Sequence, residues 1–465
     1  MGSFKATRKS HIVNRKFTVK PIYKSFYRIY RIIVPVWKWA RRRFTLPGLC
    51  VAGGFVIAGG VGTDIENTVT YQAFALLLAF LVLAFACSRF FNAKFSAERF
   101  LPRFGTAGLP LHYRVLVKNL TAQPQKGLTL LEDIADPLPP FQEWLAVQLA
   151  ENRRARRFRI SERRRISPFK LANLKEAKVP PLPPGGETEV SVELTPLRRG
   201  ILHLTGVTLA RPDPVGLFRS FARTPAAQTV LILPKRYLIP PVALPGSMKY
   251  QEGGVALAAN VGRSEEFVSL REYRHGDPMR HIHWRSWAKT GKPIVKEFED
   301  EFFVRHALVL DTFTDEPHGE ILEEAVSVAA SFACAVLTQE SLLDLLFVGP
   351  ESYCFTAGRG LAHADPMLEI LASVRNCADK QFEALEHLVI NHISVVSGCI
   401  CVLQKWDDVR RKFVEKLRSL DMPVLVLVIA LPREAKPDAG PLRDDLEQFH
   451  VLEIGKIEEQ LRNLK

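Results

Sequence analysis

Two uncharged apolar runs stand near the start of the chain. Residues 45–62 are rich in glycine, and residues 69–88 are rich in Leu, Phe and Ala. Each run can cross roughly 30 Å of hydrocarbon as a helix, so the pair predicts a two-helix transmembrane hairpin over 45–91. Gly48, Gly53, Gly54, Gly59 and Gly60 would weaken an isolated helix in water. In lipid, small residues let two helices approach closely. Downstream the apolar period falls to two. Tyr113, Val115 and Val117 alternate within 112–119, and Val190, Val192 and Leu194 within 188–195, the pattern of half-buried strands. Further strand-like runs at 128–133, 201–210 and 229–233, set between Gly and Pro turns, predict an antiparallel β-sandwich over 95–240. A segment with Pro-rich ends, 137–186, reads as an insertion in it.

Beyond residue 301 the pattern changes again. Apolar runs at 306–310, 343–348, 395–403 and 424–430 alternate with helical stretches at 319–338, 365–377, 407–420 and 456–464. Such alternation predicts a mostly parallel sheet with helices on both faces, over 302–465. Residues 433–442, with proline and glycine among charges, read as a loop.

Charge fixes an orientation for the hairpin. Residues 1–63 hold 13 Lys and Arg and no acid, and Asp64 and Glu66 fall between the two runs. Basic flanks stay on the cytoplasmic side, which predicts a cytoplasmic tail over 1–44, the short acidic loop outside, and all that follows inside. More than forty residues precede the first run and no short charged leader abuts it, so both spans are expected to be retained. The formal net charge is +14, yet outside the tail 50 basic residues face 49 acidic ones. A nucleic-acid groove is therefore not expected, and the tail suits anionic lipid headgroups.

Tyr23, Phe26, Tyr27, Tyr30, Val34 and Trp37 recur at helical spacing in that tail, consistent with an interfacial amphipathic helix or with a disordered basic arm. The arginine run from Arg153 to Arg165 fits an anionic lipid, an acidic partner, nucleic acid or a solvated helix face. Seven scattered cysteines without a CxxC pair indicate neither a disulfide framework nor a zinc site.

The densest polar and aromatic stretch lies at 264–301, within a linker over 241–301. Its Arg271, Tyr273, Gly276, Asp277, Arg280, Ile282, Trp284, Ala288 and Lys289, followed by 295–301, resemble the signature of the bacterial domain of unknown function 58 family. Arg198-Arg199-Gly200 and the run from Asp213 to Phe218 agree with the same resemblance. It implies a membrane-anchored protein whose C-terminal half is a von Willebrand factor A-like doubly wound sheet. It also implies company: MoxR-type AAA+ ATPases and transglutaminase-like membrane proteins at the bacterial inner membrane.

Physically, Asp277 and Arg280 could pair by charge, Gly276 could supply a turn, and Trp284 and Trp287 could wedge against the next domain. That would be a structural clasp. The rival reading is a metal-dependent hydrolase using Asp277, His281 and His283, since alternate residues of a strand share a face. A-type domains often hold Mg²⁺ at the end of the first strand through Asp-x-Ser-x-Ser. Here Asp311 keeps its place, Phe313 takes the first hydroxyl position and Asp315 the second, so Asp311 with Thr314 would form only a degenerate site. No recognised catalytic frame occurs, and the expectation is an interaction protein rather than an enzyme.

Overall fold

The computed structural model describes all residues except 1–5, 62–67, 89–90, 92, 158–168, 241–266, 276, 278, 299–304, 315–318, 338–341, 358–364, 433–436 and 465. The chain divides into two compact units, Met1–Leu233 and Pro234–Lys465.

The first unit opens with three helices: α1 (Ala6–Arg43), α2 (Leu46–Val61) and α3 (Thr68–Ser88). Val69–Ser88 is long and apolar enough to cross a membrane, and Leu46–Gly60 is a shorter apolar helix. At 1.5 Å per residue the 16 residues of α2 rise only about 24 Å, and its partner α3 packs along it, Phe55 stacking on Phe74 with ring centroids 4.7 Å apart. The acidic loop of the expected hairpin lies outside the described residues.

A β-sandwich follows. One sheet pairs β1 (Phe95–Phe100), β3 (Leu111–Asn119), β7 (Glu187–Pro196) and β5 (Ala172–Leu174) in that order. The other runs β2 (Phe104–Thr106), β9 (Arg219–Leu233), β8 (Gly200–Pro212), β4 (Thr129–Ile134) and β6 (Ala177–Lys178). Alternate side chains of β3 and β7 meet Leu202, Leu204, Val207, Leu209, Val230 and Ile232 in one core, as period-two patterning requires. Arg99 replaces an apolar residue in this core. Its guanidinium lies 2.8 Å from the Glu132 carboxylate and also donates to the Gly206 and Ala226 carbonyls.

The expected insertion needs correction. Its helix α4 (Phe141–Arg157) and the strands β5 and β6 belong to the fold, with Ala172, Val179 and Leu182 in the core. Most of the arginine run, and the side chains of Arg153, Arg154, Arg156 and Arg157, lie outside the described residues. Against α4 rests α1, helical through the tail. Tyr27 and Tyr30 set their rings 5.3 and 5.8 Å from Trp144, and the Tyr27 hydroxyl donates to the Pro139 carbonyl at 2.6 Å. Farther along α1, Arg42 reaches the buried Asp133 at 2.6 Å and Lys38 pairs with Asp136.

The helices and the sandwich are joined at one turn, Asp213 to Phe218, between β8 and β9. The Asp213 carboxylate accepts from the Phe218 N–H at 3.0 Å, and Gly216 takes φ +78° to close the bend, a conformation open to glycine. On this turn sits the α1–α2 joint. Thr45 N–H donates to the Leu217 carbonyl at 3.0 Å, the Thr45 hydroxyl to the Gly216 carbonyl, and Phe44 pairs with Phe218, rings 4.5 Å apart. The Ser220 hydroxyl ties back to the carbonyl of Ser88 at the end of α3, at 2.8 Å.

Gly48 presses the first turn of α2 on this seat. A Cβ there would lie 2.0 Å from the Leu217 carbonyl oxygen, whereas one at Gly53 would meet nothing within 4 Å. Overpacking typically costs about 1–3 kcal/mol. Gly48→Val is therefore expected to lower the unfolding temperature of the detergent-solubilised chain by about 5 °C, with Gly53→Val near wild type. Equal melting of the two variants would show that the contact does not carry the joint.

The second unit begins with a hairpin of β10 (Phe267–Glu272) and β11 (Ile294–Phe298), with the short helix α5 (Trp284–Thr290) between them. A six-stranded sheet follows: β12 (Arg305–Leu310), β13 (Leu342–Val348), β14 (Ser352–Ala357), β15 (Gly398–Leu403), β16 (Val424–Ala430) and β17 (Phe449–Glu453). Their order is β14-β13-β12-β15-β16-β17, all parallel except the β13–β14 pair. The helices are α6 (Glu320–Leu337), α7 (Asp365–Ser373), α8 (Glu383–His392), α9 (Asp408–Ser419) and α10 (Ile457–Arg462). Leu385 and Val389 of α8 and Phe413, Val414 and Leu417 of α9 share one apolar layer with Ala307, Val309, Cys399, Cys401 and Val426. α6 packs on the same strands but stays outside that layer, and so takes the opposite face. Cys399 and Cys401 are thus core residues.

Candidate functional site

The hairpin that carries the signature is held by its own charges. Arg271, on β10, grips Asp277 with both guanidinium arms, 2.7 and 2.8 Å, and the Arg274 N–H adds a third bond at 2.8 Å. The described side-chain partner of Asp277 is thus Arg271, and the expected Asp277–Arg280 pair falls outside the described residues. Gly276 and the Arg280 side chain lie outside the described residues. The Arg271 hydrogen bonds, and then the Arg274 N–H, lower the Asp277 carboxyl to about 2. A depressed carboxylate keeps its pairing above its ordinary value near 3.9 and loses it as pH falls through the lowered one. The clamp consequently stays charged throughout the physiological range.

Ile282 and Val295 form the buried floor of the hairpin, 6 % and 2 % exposed, and bridge to each other. Tyr273 continues the pairing of β10 through its N–H to the Pro293 carbonyl at 2.9 Å. The segment Asp277 to His283 is not a strand. Met279–His281 is a 3₁₀ turn and His283 precedes α5, so the alternation assumed for Asp277, His281 and His283 does not hold. His283 Nδ1 lies 2.6 Å from the Ser286 hydroxyl. Among the described residues no group of three or more His, Cys, Asp or Glu is placed to hold a metal ion. Trp284 stacks on Trp287, centroids 5.3 Å apart and planes 18° from parallel, yet stays 62 % exposed; Met279 is 69 % exposed. Instead of wedging inward, the Trp284 face stands in solvent.

A second constellation lies at the carboxyl ends of β12 and β15, where the strand order turns back and open α/β sheets form their crevice. Asp311 follows β12 and is fully buried. It accepts from Phe313 N–H at 3.0 Å, Gln404 N–H at 3.2 Å, and Arg410 through Nε at 3.2 Å and Nη2 at 3.3 Å. Gln404 also donates to the Asp311 carbonyl at 2.7 Å. Arg410 is held in turn by Asp407 at 2.8 Å and by the Phe382 ring, 4.4 Å beneath it. Burial pushes the Asp311 carboxyl up, while the Arg410 guanidinium and the two N–H donors oppose the shift.

These residues do not fit a divalent cation. A guanidinium stands against the carboxylate that would be its principal ligand, and the Thr312 hydroxyl is turned to the Val348 carbonyl. The Thr314 carbonyl accepts from Asn376 at 3.2 Å, and Asp315 lies outside the described residues. Sequence reasoning missed Arg410, although a signal existed. An arginine in the first turn of α9, behind the N-cap Asp407, opposes the helix dipole and calls for a carboxylate partner.

The chain thus combines an open, mostly parallel α/β sheet with a charge-clamped hairpin and an internally neutralised crevice. Residues 269–464 match the model of a protein family of unknown function, DUF58. The upstream marks at 198–200 and 213–218 lie outside the match. A relative, the uncharacterized protein YeaD of Bacillus subtilis (strain 168), is 28 % identical over 187 residues, 39 % of this chain and 45 % of the relative. The chain therefore spans less than half of that relative. Among solved structures, the CARDB domain of a Pyrococcus furiosus protein aligns at 14 % identity, 30 % of this chain, 94 % of that chain and a TM-score of 0.17. A Salmonella alpha-2-macroglobulin mutant aligns at 16 % identity, 36 % of this chain, 9 % of that chain and a TM-score of 0.18. Scores so low carry no fold assignment.

Removing one partner of a buried ion pair typically costs about 3–5 kcal/mol. Arg410→Ala is expected to destabilise the second unit by that amount in denaturant unfolding of the solubilised chain. Arg410→Gln combined with Asp311→Asn should recover much of the loss. A cost under about 1 kcal/mol for Arg410→Ala would mean that the pair does not hold the crevice.

Proposed function

We propose that the chain is a two-pass inner-membrane anchor whose cytoplasmic β-sandwich and von Willebrand factor A-like domain form a docking platform for other proteins, without a reaction of its own. The partner we assign is a MoxR-type AAA+ ATPase, in a complex that also takes in a transglutaminase-like membrane protein. One observation carries the reading. The signature hairpin clamps Asp277 on Arg271 and yet holds out Trp284 and Met279, large apolar side chains of the kind that anchor protein interfaces. The strand order of the second unit, with its crevice between β12 and β15, supports the A-like assignment. The apolar helices α2 and α3 behind a wholly basic tail support the two-pass topology with both folded units inside. With a guanidinium against Asp311, docking on this reading does not call on Mg²⁺ at that crevice.

Trp284→Ala together with Met279→Ala, both exposed, should leave the fold intact and reduce ATPase recovered with the chain from mild detergent, in the presence of nucleotide, by at least about tenfold, the scale of one hot-spot side chain. The proposal fails if recovery is unchanged, or if no ATPase accompanies the wild-type chain.

A further inference from the structure

Helix α1 divides into three sectors. Tyr23, Tyr27 and Tyr30 face α4, and Lys24, Arg28, Arg31 and Arg42 lie together on a basic side. The third sector is apolar. Ile22, Phe26, Ile29, Ile33, Val36 and Trp37 are each 51 to 60 % exposed, and at 100° per residue they form one stripe about 100° wide. Ile32 and Trp39, 67 % and 57 % exposed, widen it along one margin. A stripe of this size is not expected to face water.

We infer that this stripe lies in the headgroup region of the bilayer, with anionic phospholipid as its occupant, so that α1 is an interfacial helix in addition to the spans. The inference rests on the membrane-anchored reading. Three observations select lipid over a protein. The stripe runs directly into the anchor: α1 ends at Arg43 and the apolar α2 starts at Leu46, with Phe44 and Thr45 fixed on the 216–218 turn. Continuity therefore brings the Trp37 end of the stripe to the level where α2 enters the membrane, roughly 10 Å along the helix from Phe44. Trp37 and Trp39 near that end are of the type that settles at the membrane–water boundary, and Arg41 lies over the Trp37 ring at 5.2 Å. Finally, the 13 basic and no acidic residues of 1–63 match a negative leaflet and oppose a basic partner. The stripe and α4 together would hold the sandwich against the membrane surface.

The test uses the full chain, with exposed native cysteines replaced by alanine, in vesicles of phosphatidylcholine and phosphatidylglycerol containing nitroxide-labelled lipid. An environment-sensitive fluorophore is placed singly by Ile33→Cys, by Arg28→Cys on the basic side, or by Leu78→Cys within α3. Position 33 is expected to be quenched several-fold by the nitroxide lipid, position 78 likewise, and position 28 little. Quenching at 78 with position 33 as wet and unquenched as position 28 overturns the interfacial helix and leaves the anchor standing. A label at 33 shielded from water but untouched by nitroxide would assign the stripe to a protein, again overturning it. Absence of quenching at 78 would remove the anchor reading and this inference with it.

Discussion

The seat of Gly48 on the Leu217 carbonyl is the constraint on which the organisation of the first unit depends. It lets α2 begin in direct contact with a sandwich turn, with no linker to absorb motion. Thr45, Phe44 and Ser220 then close the same joint from three sides. An apolar hairpin joined by a flexible tether would report nothing about the orientation of its cargo. Here the cargo and the helices share hydrogen bonds, and the position of one fixes the other. Arg42 on Asp133 and the tyrosine face on Trp144 extend that grip along α1.

The second unit uses buried charge differently. Asp311 stands where open α/β sheets offer a ligand site, but its oxygens are already met by two backbone N–H groups and by Arg410. The desolvation cost of a buried carboxylate is offset only when every lone pair finds a partner, and this one is surrounded by donors. Arg305 and Asp344 repeat the arrangement on β12 and β13, at 2.7 and 3.0 Å. The crevice is thus built as a closed electrostatic unit. By contrast, the hairpin of β10 and β11 places its clamped pair near the surface and leaves Trp284 uncovered, which is why the docking proposal is centred there.

Much of this was legible from pattern alone. The strands of period two, the parallel runs of the second unit and most of its helices fall within a few residues of their expected limits, because burial of one or both faces dictates them. What escaped notice did so for identifiable reasons. β1 carries Arg99 in the core, where an ion pair with Glu132 disguises the apolar alternation. β5 and β6 are too short, at three and two residues, to rise above their Pro-rich surroundings. The contact of Asp277 with Arg271 went unnoticed because the closing hairpin brings them together, a neighbourhood that spacing along the chain does not show. The family resemblance was legible in the segment 271–301, and the match over 269–464 supports it.

The central claim is that the apolar helices α2 and α3 and the sandwich move as one body. Distance distributions between spin labels at Leu78 in α3 and at the exposed Ile201 in β8, measured on the intact chain in lipid nanodiscs, address it most directly. A single narrow distribution is predicted, broadening when Gly48 is replaced by valine. A broad or multiple distribution in the wild-type chain would contradict it.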